Sequence, residues 1–283
     1  SFACVAAAGL LACESARASA QRSEVSGAID AYIDSYVATN NFSGQLLVMR
    51  GDSVVYERHV GWADRSRRVP MSRDSRLHIA SMSMQFTAAA IMRLIDEKKL
   101  TLDTRVSELV PGVRGGESIS VRNLLEMRSG LSDINSRADY TEVLRHHQTP
   151  ATLVALVSGD TLLFPPGSRY LHEEHSAYNL LALIIEKRSG LSLQRALQVL
   201  VFAPAGLEHS GADDDESPSP TLARGYDPVG VFALATATPI HWSTTSVTDS
   251  GFSSAVDVRP GAPMVFHRAP VGRGARARRV RSP

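Results

Sequence analysis

The chain has 283 residues, 43% hydrophobic and 21% charged, with 30 basic against 29 acidic side chains and a net charge of +1. That length carries the core of one large domain or two moderate ones, and the composition is that of a globular protein. The balanced charge argues against a dedicated nucleic-acid surface, which needs a concentrated positive field.

Both cysteines, Cys4 and Cys13, fall in the opening stretch SFACVAAAGLLACESARASA. Its apolar run from Phe2 to Ala12, followed by Ala18-Ser19-Ala20, matches the apolar region and small-residue cleavage site of a secretory signal peptide over residues 1–20. A buried N-terminal helix is the alternative, and the run is too short to span a bilayer. LLAC also has the form of a lipobox, with Cys13 as the lipidated residue. On either route the protein is expected to be exported, periplasmic or extracellular. It meets a membrane only if Cys13 is lipidated, and the mature chain is expected to hold no disulfide. A thiolate metal site and a catalytic cysteine are both disfavoured.

The helical period then places Ile29, Ile33 and Val37 on one stripe. Two β-rich runs, Gln45 to Met49 and Val54 to Val60, flank the turn pair Gly51-Asp52 and predict a hairpin. Gln85 to Lys98 is amphipathic and predicts a helix, after which Leu100 to Val106 reads as a turn onto the surface. Ser120 is a candidate N-cap, with Gly130 as the stop of its helix. HSAYNLLALIIEKRSG predicts an apolar helix ended by Gly190, and Ser192 starts the next one. GADDDESPSPTLA reads as an acidic surface loop. Residues 259–283 are rich in Arg, Pro and Gly and too polar to fold alone. They read as a disordered segment, a product of a shifted reading frame, or a basic tail for an acidic partner.

Five stretches in order carry a family resemblance: FSGQLLVMRGDSVVYERHVGWAD, RLHIASMSMQFTAAAIMRLIDEKKLTLDTRVSELVP, ISVRNLLEMRSGLSD, FPPGSRYLHEEHSAYNLLALIIEKRSG and DSGFSSAVDV. Over residues 24 to 258 the chain resembles the beta-lactamase-related serine hydrolases, which include class C beta-lactamases, D-alanyl-D-alanine carboxypeptidases and esterases. The resemblance implies an α+β fold of the beta-lactamase/transpeptidase type, a helical region packed beside an incomplete antiparallel sheet. Residues 24–80 with about 245–258 would form the α/β part and 81–244 the helical part. It also implies acyl-enzyme hydrolysis of beta-lactam, D-Ala peptide or ester substrates, with no cofactor and no metal.

The family's chemistry needs a serine, a lysine three positions later and a tyrosine in a Y-x-N motif. Positions i and i+3 share a helix face, so the amine reaches the serine oxygen. By position the nucleophile is Ser81, and the lysine position holds Met84, whose thioether neither takes a proton nor supplies charge. Ser83 does not restore the pair, because Phe86 follows it at three. The Y-x-N positions fall on Glu173 and His175 when aligned back from Tyr178, or on His172 and Glu174 when aligned forward from Gly167. A Glu or His of this stretch is an alternative base for Ser81, and Tyr170 just upstream is a residue that would have to reach inward. A zinc pair of His172 and His175 lacks a third ligand. The third motif, K-T-G or H-x-G on a strand, does not follow Val258, and neither do the closing strands that would carry it and one donor of the oxyanion hole. The expected partner is a small-molecule or peptidoglycan-like substrate. Three functions stay open: an impaired or inactive serine hydrolase, a pseudoenzyme binding a cell-wall or peptide-like ligand, and a fragment of an interrupted gene.

Overall fold

A computed structural model of the chain describes residues 24–39, 42–172, 175–212, 221–228, 234–236, 251–254 and 257. The predicted signal peptide, most of the acidic loop and the Arg-rich segment lie outside the described residues. Two compact units divide the chain between residues 75 and 76.

The first unit begins with helix α1, residues 24–38, whose predicted stripe of Ile29, Ile33 and Val37 is half-buried while the opposite face is exposed. Strands β1 (Gly44–Arg50) and β2 (Ser53–Val60) pair antiparallel across the Gly51-Asp52 turn, as the alternation predicts. Gly51 holds a φ of +56°, which a glycine adopts without steric cost. Helix α1 is tied to the hairpin by polar contacts. Asp30 Oδ1 accepts from the Tyr56 hydroxyl at 2.6 Å and from Arg58 Nη1 at 2.7 Å, and Asp34 accepts from Arg58 Nη2 at 2.6 Å. A short pair, β3 (Trp62–Asp64) with β4 (Val69–Pro70), completes the unit.

The second unit opens with β5 (Leu77–His78) and a 3₁₀ turn over Ala80–Ser83, which runs into α2 (Met84–Asp96). The predicted extension of this helix to Lys98 is cut short. Lys98 takes a left-handed φ of +60°, and Lys99 N bonds back to Leu94 O. The segment Leu100 to Val106 turns onto the surface only in its middle, where Thr101, Asp103 and Arg105 are exposed. Leu100 and Val106 are buried, the latter starting the short helix α3 (Val106–Leu109), so the connection anchors in the core. Helix α4 (Val121–Leu125) follows, with Ser120 as its N-cap: Asn123 N donates to Ser120 Oγ, and Ser120 N donates to Asn123 Oδ1. Its stop comes before Gly130, because Met127 turns left-handed with a φ of +54°. Gly130 serves another need: a Cβ there would collide with the Phe164 carbonyl.

A 3₁₀ turn over Ile134–Ser136, α5 (Tyr140–Val143) and α6 (Pro150–Val157) lead to α7 (His175–Ser189). Helix α7 is buried continuously from His175 to Ile185, as expected of a helix that is apolar on nearly every face. It packs against α2, α4, α6 and α8 (Leu193–Leu197) and is the centre of the core. Gly190 ends it with a φ of +72°, and Ser192 caps α8, both as predicted. A π turn over Gln198–Phe202 and α9 (Ala203–Ala205) bring Phe202 edge-on to Phe86 at 4.9 Å between ring centroids.

The chain then returns to strands. β6 (Gly211–Ala212) and β9 (Gly251–Ser253) form a three-stranded antiparallel sheet with β5, in the order β5-β9-β6, while β7 (Tyr226–Pro228) pairs with β8 (Leu234–Thr236). The span read as helical, 81–244, therefore contains strands β6 to β8, and β9 pairs inside the second unit.

Candidate active site

Ser81 lies where β5 hands over to α2. Ala80, one residue earlier, carries the reversal with a φ of +48°, a left-handed conformation that costs a residue with a Cβ roughly 1–2 kcal/mol. The turn is held by Met82 N bonding to Ile79 O at 3.2 Å and by the Ser83 hydroxyl donating to Ala80 O at 2.7 Å. Ser81 and Met82 are exposed on it, and Ser83 is buried. The sequence places Ser81 at the first turn of the helix; the 3₁₀ turn puts it just before that turn.

Three residues on, Met84 is 7% exposed and belongs to the main core cluster with Phe86, Ala90 and Ile91. The position wants a flexible apolar side chain, and methionine supplies one. Lysines at the other end do not substitute. Helix α2 has 13 residues, which sets Lys98 and Lys99 about 20 Å along its axis, and Lys99 Nζ pairs with Glu97 at 3.0 Å.

Of the Y-x-N candidates, Glu173 and Glu174 lie outside the described residues. His175 starts α7 and is buried, with Nδ1 3.2 Å from Asp133 Oδ1. The Asn135 amide Nδ2 lies 3.1 Å from the same Nδ1 and 3.4 Å from Nε2. Next along α7, Ser176 Oγ accepts from Ile134 N at 2.9 Å, which clamps the 3₁₀ turn carrying Asp133 and Asn135 onto the helix start. His172 makes a separate contact: its Nδ1 meets the Tyr170 hydroxyl at 2.8 Å. Tyr170 is 56% exposed and does not reach inward. Tyr178, the alignment anchor, is buried; its hydroxyl donates to Leu125 O at 3.3 Å, and burial pushes its pKa above the ordinary value.

A second polar cluster holds the strand next to β5. Asp257 Oδ2 accepts from the Ser210 hydroxyl at 2.6 Å and from His209 N at 2.9 Å, and Ser210 and Ser253 hydroxyls lie 2.9 Å apart. Ser210, Ser253 and Asp257 are all buried, so this carboxylate is satisfied inside the fold and fastens β9 to β6. Since β9 also pairs with β5, the cluster bears on the strand that delivers Ser81.

The beta-lactamase sequence profile matches residues 29–262. The chain belongs to the beta-lactamase family. It is 27% identical to the putative penicillin-binding protein PbpX of Bacillus subtilis over 228 residues, 80% of this chain and 55% of that one. It is 28% identical to a D-aminopeptidase of Cereibacter sphaeroides over 217 residues, 74% of this chain and 40% of that one. The chain thus spans about half the length of these curated relatives. Among solved structures, the penicillin binding protein from Bacillus halodurans superposes with a TM-score of 0.68 at 26% identity, covering 80% of this chain and 69% of that one. A class C beta-lactamase superposes at 0.65 with 21% identity, over 84% of this chain and 63% of that one, a likeness of fold alone.

Sequence reasoning missed Asp133 and Asn135. The signal was present in SGLSDIN, where an Asp two residues before an Asn favours a capped turn. That Asp133 meets an imidazole 42 residues away has no local signature.

Proposed function

We propose that this beta-lactamase-family chain keeps an acyl-transfer site around Ser81 in which nucleophile activation is impaired. Its principal role is then to hold a peptide-like or cell-wall-derived ligand. One observation carries the reading: the residue three after Ser81 is Met84, a thioether seated in the core, where the family's mechanism places an amine. Loss of a positioned proton acceptor costs on the order of 10²–10⁴ in rate, and an unassisted serine hydroxyl is a weak nucleophile. The D-aminopeptidase and penicillin-binding relatives support D-amino-acid peptides as the ligand class. An exported location fits such a ligand and the opening stretch of the sequence.

The experiment is covalent labelling by a fluorophosphonate and by a fluorescent penicillin, beside calorimetric titration with a D-Ala-D-Ala stem peptide. Wild type is expected to label far below stoichiometry and to bind the peptide equally well with Ser81→Ala. Met84→Lys is expected to raise the labelling rate at least about tenfold, while an ammonium in that apolar seat lowers stability by about 3 kcal/mol. Rapid stoichiometric labelling of wild type that vanishes in Ser81→Ala overturns impairment. No peptide binding by any variant overturns the binding role.

A further inference from the structure

Helix α7 carries two uncharged polar side chains in a stretch that is otherwise apolar core. Ser176 is 1% exposed and Asn179 2%, beside the buried Ala177, Leu180 and Leu181. At that enclosure no further segment of chain and no partner protein reaches either side chain without opening the core.

Their hydrogen bonding is incomplete. Ser176 Oγ accepts from Ile134 N at 2.9 Å, and its own proton meets no acceptor among the described residues. Asn179 Oδ1 is buried with no hydrogen-bond partner among the described residues. A serine hydroxyl carries one donor and an amide oxygen accepts, so an unused donor and an unused acceptor stand three positions apart on one helix. A buried polar group left unmet costs its full desolvation, and in folded proteins such groups nearly always find a protein or water partner.

Residues three apart on a helix are neighbours on its surface, about 5–6 Å between Cβ atoms. The two polar ends do not bond each other directly. Spacing of that kind is closed by a single water making two hydrogen bonds of about 2.8 Å each. Room for it exists beside the amide, because the next residue on that face of α7 is the fully buried Ala182, where a leucine would fill the space.

We propose that α7 holds an internal water between Ser176 and Asn179. The Ser176 hydroxyl donates to the water oxygen, and the water donates to Asn179 Oδ1. The bonds then run in one direction from Ile134 N through Ser176 Oγ and the water to Asn179, a sense in which each polarises the next. The water extends the grip of α7 on the turn Ile134–Ser136 from the first helical turn into the second. That turn follows Asp133 and contains Asn135, the two residues that meet His175. The proposal does not depend on the chemistry at Ser81.

A high-resolution crystal structure of the full chain is expected to show a water within about 3 Å of both Ser176 Oγ and Asn179 Oδ1. A direct bond between the two side chains, a protein group on Asn179 Oδ1, or dry space there overturns the proposal. A second measurement works in solution. Oxygen-17 relaxation dispersion detects waters held inside a protein for longer than the protein takes to tumble. Asn179→Leu replaces the amide with an apolar side chain of similar size, and it is expected to lower the long-lived signal by one water relative to wild type. Ser176→Ala, which removes the other partner, is expected to do the same. A signal that keeps its wild-type size in either variant overturns the bridge. Where a variant does not fold, the wild-type crystal structure decides.

Discussion

Ala80 holds a backbone angle that alanine disfavours, and it does so directly before the serine that the family's chemistry would use. Glycine adopts that angle freely but gives up chain entropy in the unfolded state. Ala80→Gly should therefore stabilise the protein by a net of about 0.5–1 kcal/mol. Urea midpoints measure this, and an unchanged or lower midpoint would show that the turn is not strained. Such strain persists where the surroundings impose a geometry. Here the Ser83 hydroxyl on Ala80 O and the pairing of β5 with β9 impose it. The turn that presents Ser81 is thus held in this geometry, while Met84 three residues on is part of the core.

Helix α7 orders the second unit, and its two ends are polar where its middle is not. At the first turn His175 and Ser176 gather Asp133, Asn135 and Ile134 N. At the last turn Glu186 Oε1 accepts from Leu193 N at 3.0 Å, satisfying a donor at the start of α8. Burial lifts the Glu186 pKa above its ordinary value, and the hydrogen bond from Leu193 opposes the lift in part. An acid whose folded pKa is raised prefers its protonated form in the fold. Its contribution is complete below the ordinary carboxylate range and is lost as pH rises through the raised value. Glu186→Gln keeps the acceptor and removes the ionisation. The variant should melt at a higher temperature relative to wild type in neutral buffer than in acidic buffer. A difference that does not change with pH sinks the assignment.

Across the whole molecule, apolar burial is divided unequally. Helices α2, α4, α7 and α8 share one cluster that includes Ile91, Leu94, Leu124, Leu181, Ile184 and Leu193, all inaccessible to solvent. The 24–75 unit relies instead on the Asp30, Asp34, Tyr56 and Arg58 network, whose partly exposed ion pairs contribute little. Hydrogen exchange on a dilute sample should find amides of α1 and β2 opening at least about tenfold more often than those of α2 and α7. Equal protection in the two units would show that the first is better anchored than its burial indicates. No helix among the described residues is long and apolar enough to cross a membrane.

Much of this architecture is legible in the order of residues because it is local. The hairpin at Gly51-Asp52, the caps at Ser120 and Ser192, the stop at Gly190 and the pairing of Ser81 with Met84 each depend on neighbours within a few positions. The family match rests on the same short patterns taken in sequence. What the tertiary structure alone decided are the meetings between distant segments. Leu100 and Val106 turned inward, and Met127 ended its helix before the glycine that sequence favoured. Asp133 reached His175 across 42 positions and Asp257 reached Ser210 across 47. Periodicity and capping chemistry act over a single turn, whereas the partner of a buried carboxylate is chosen when the chain closes around it.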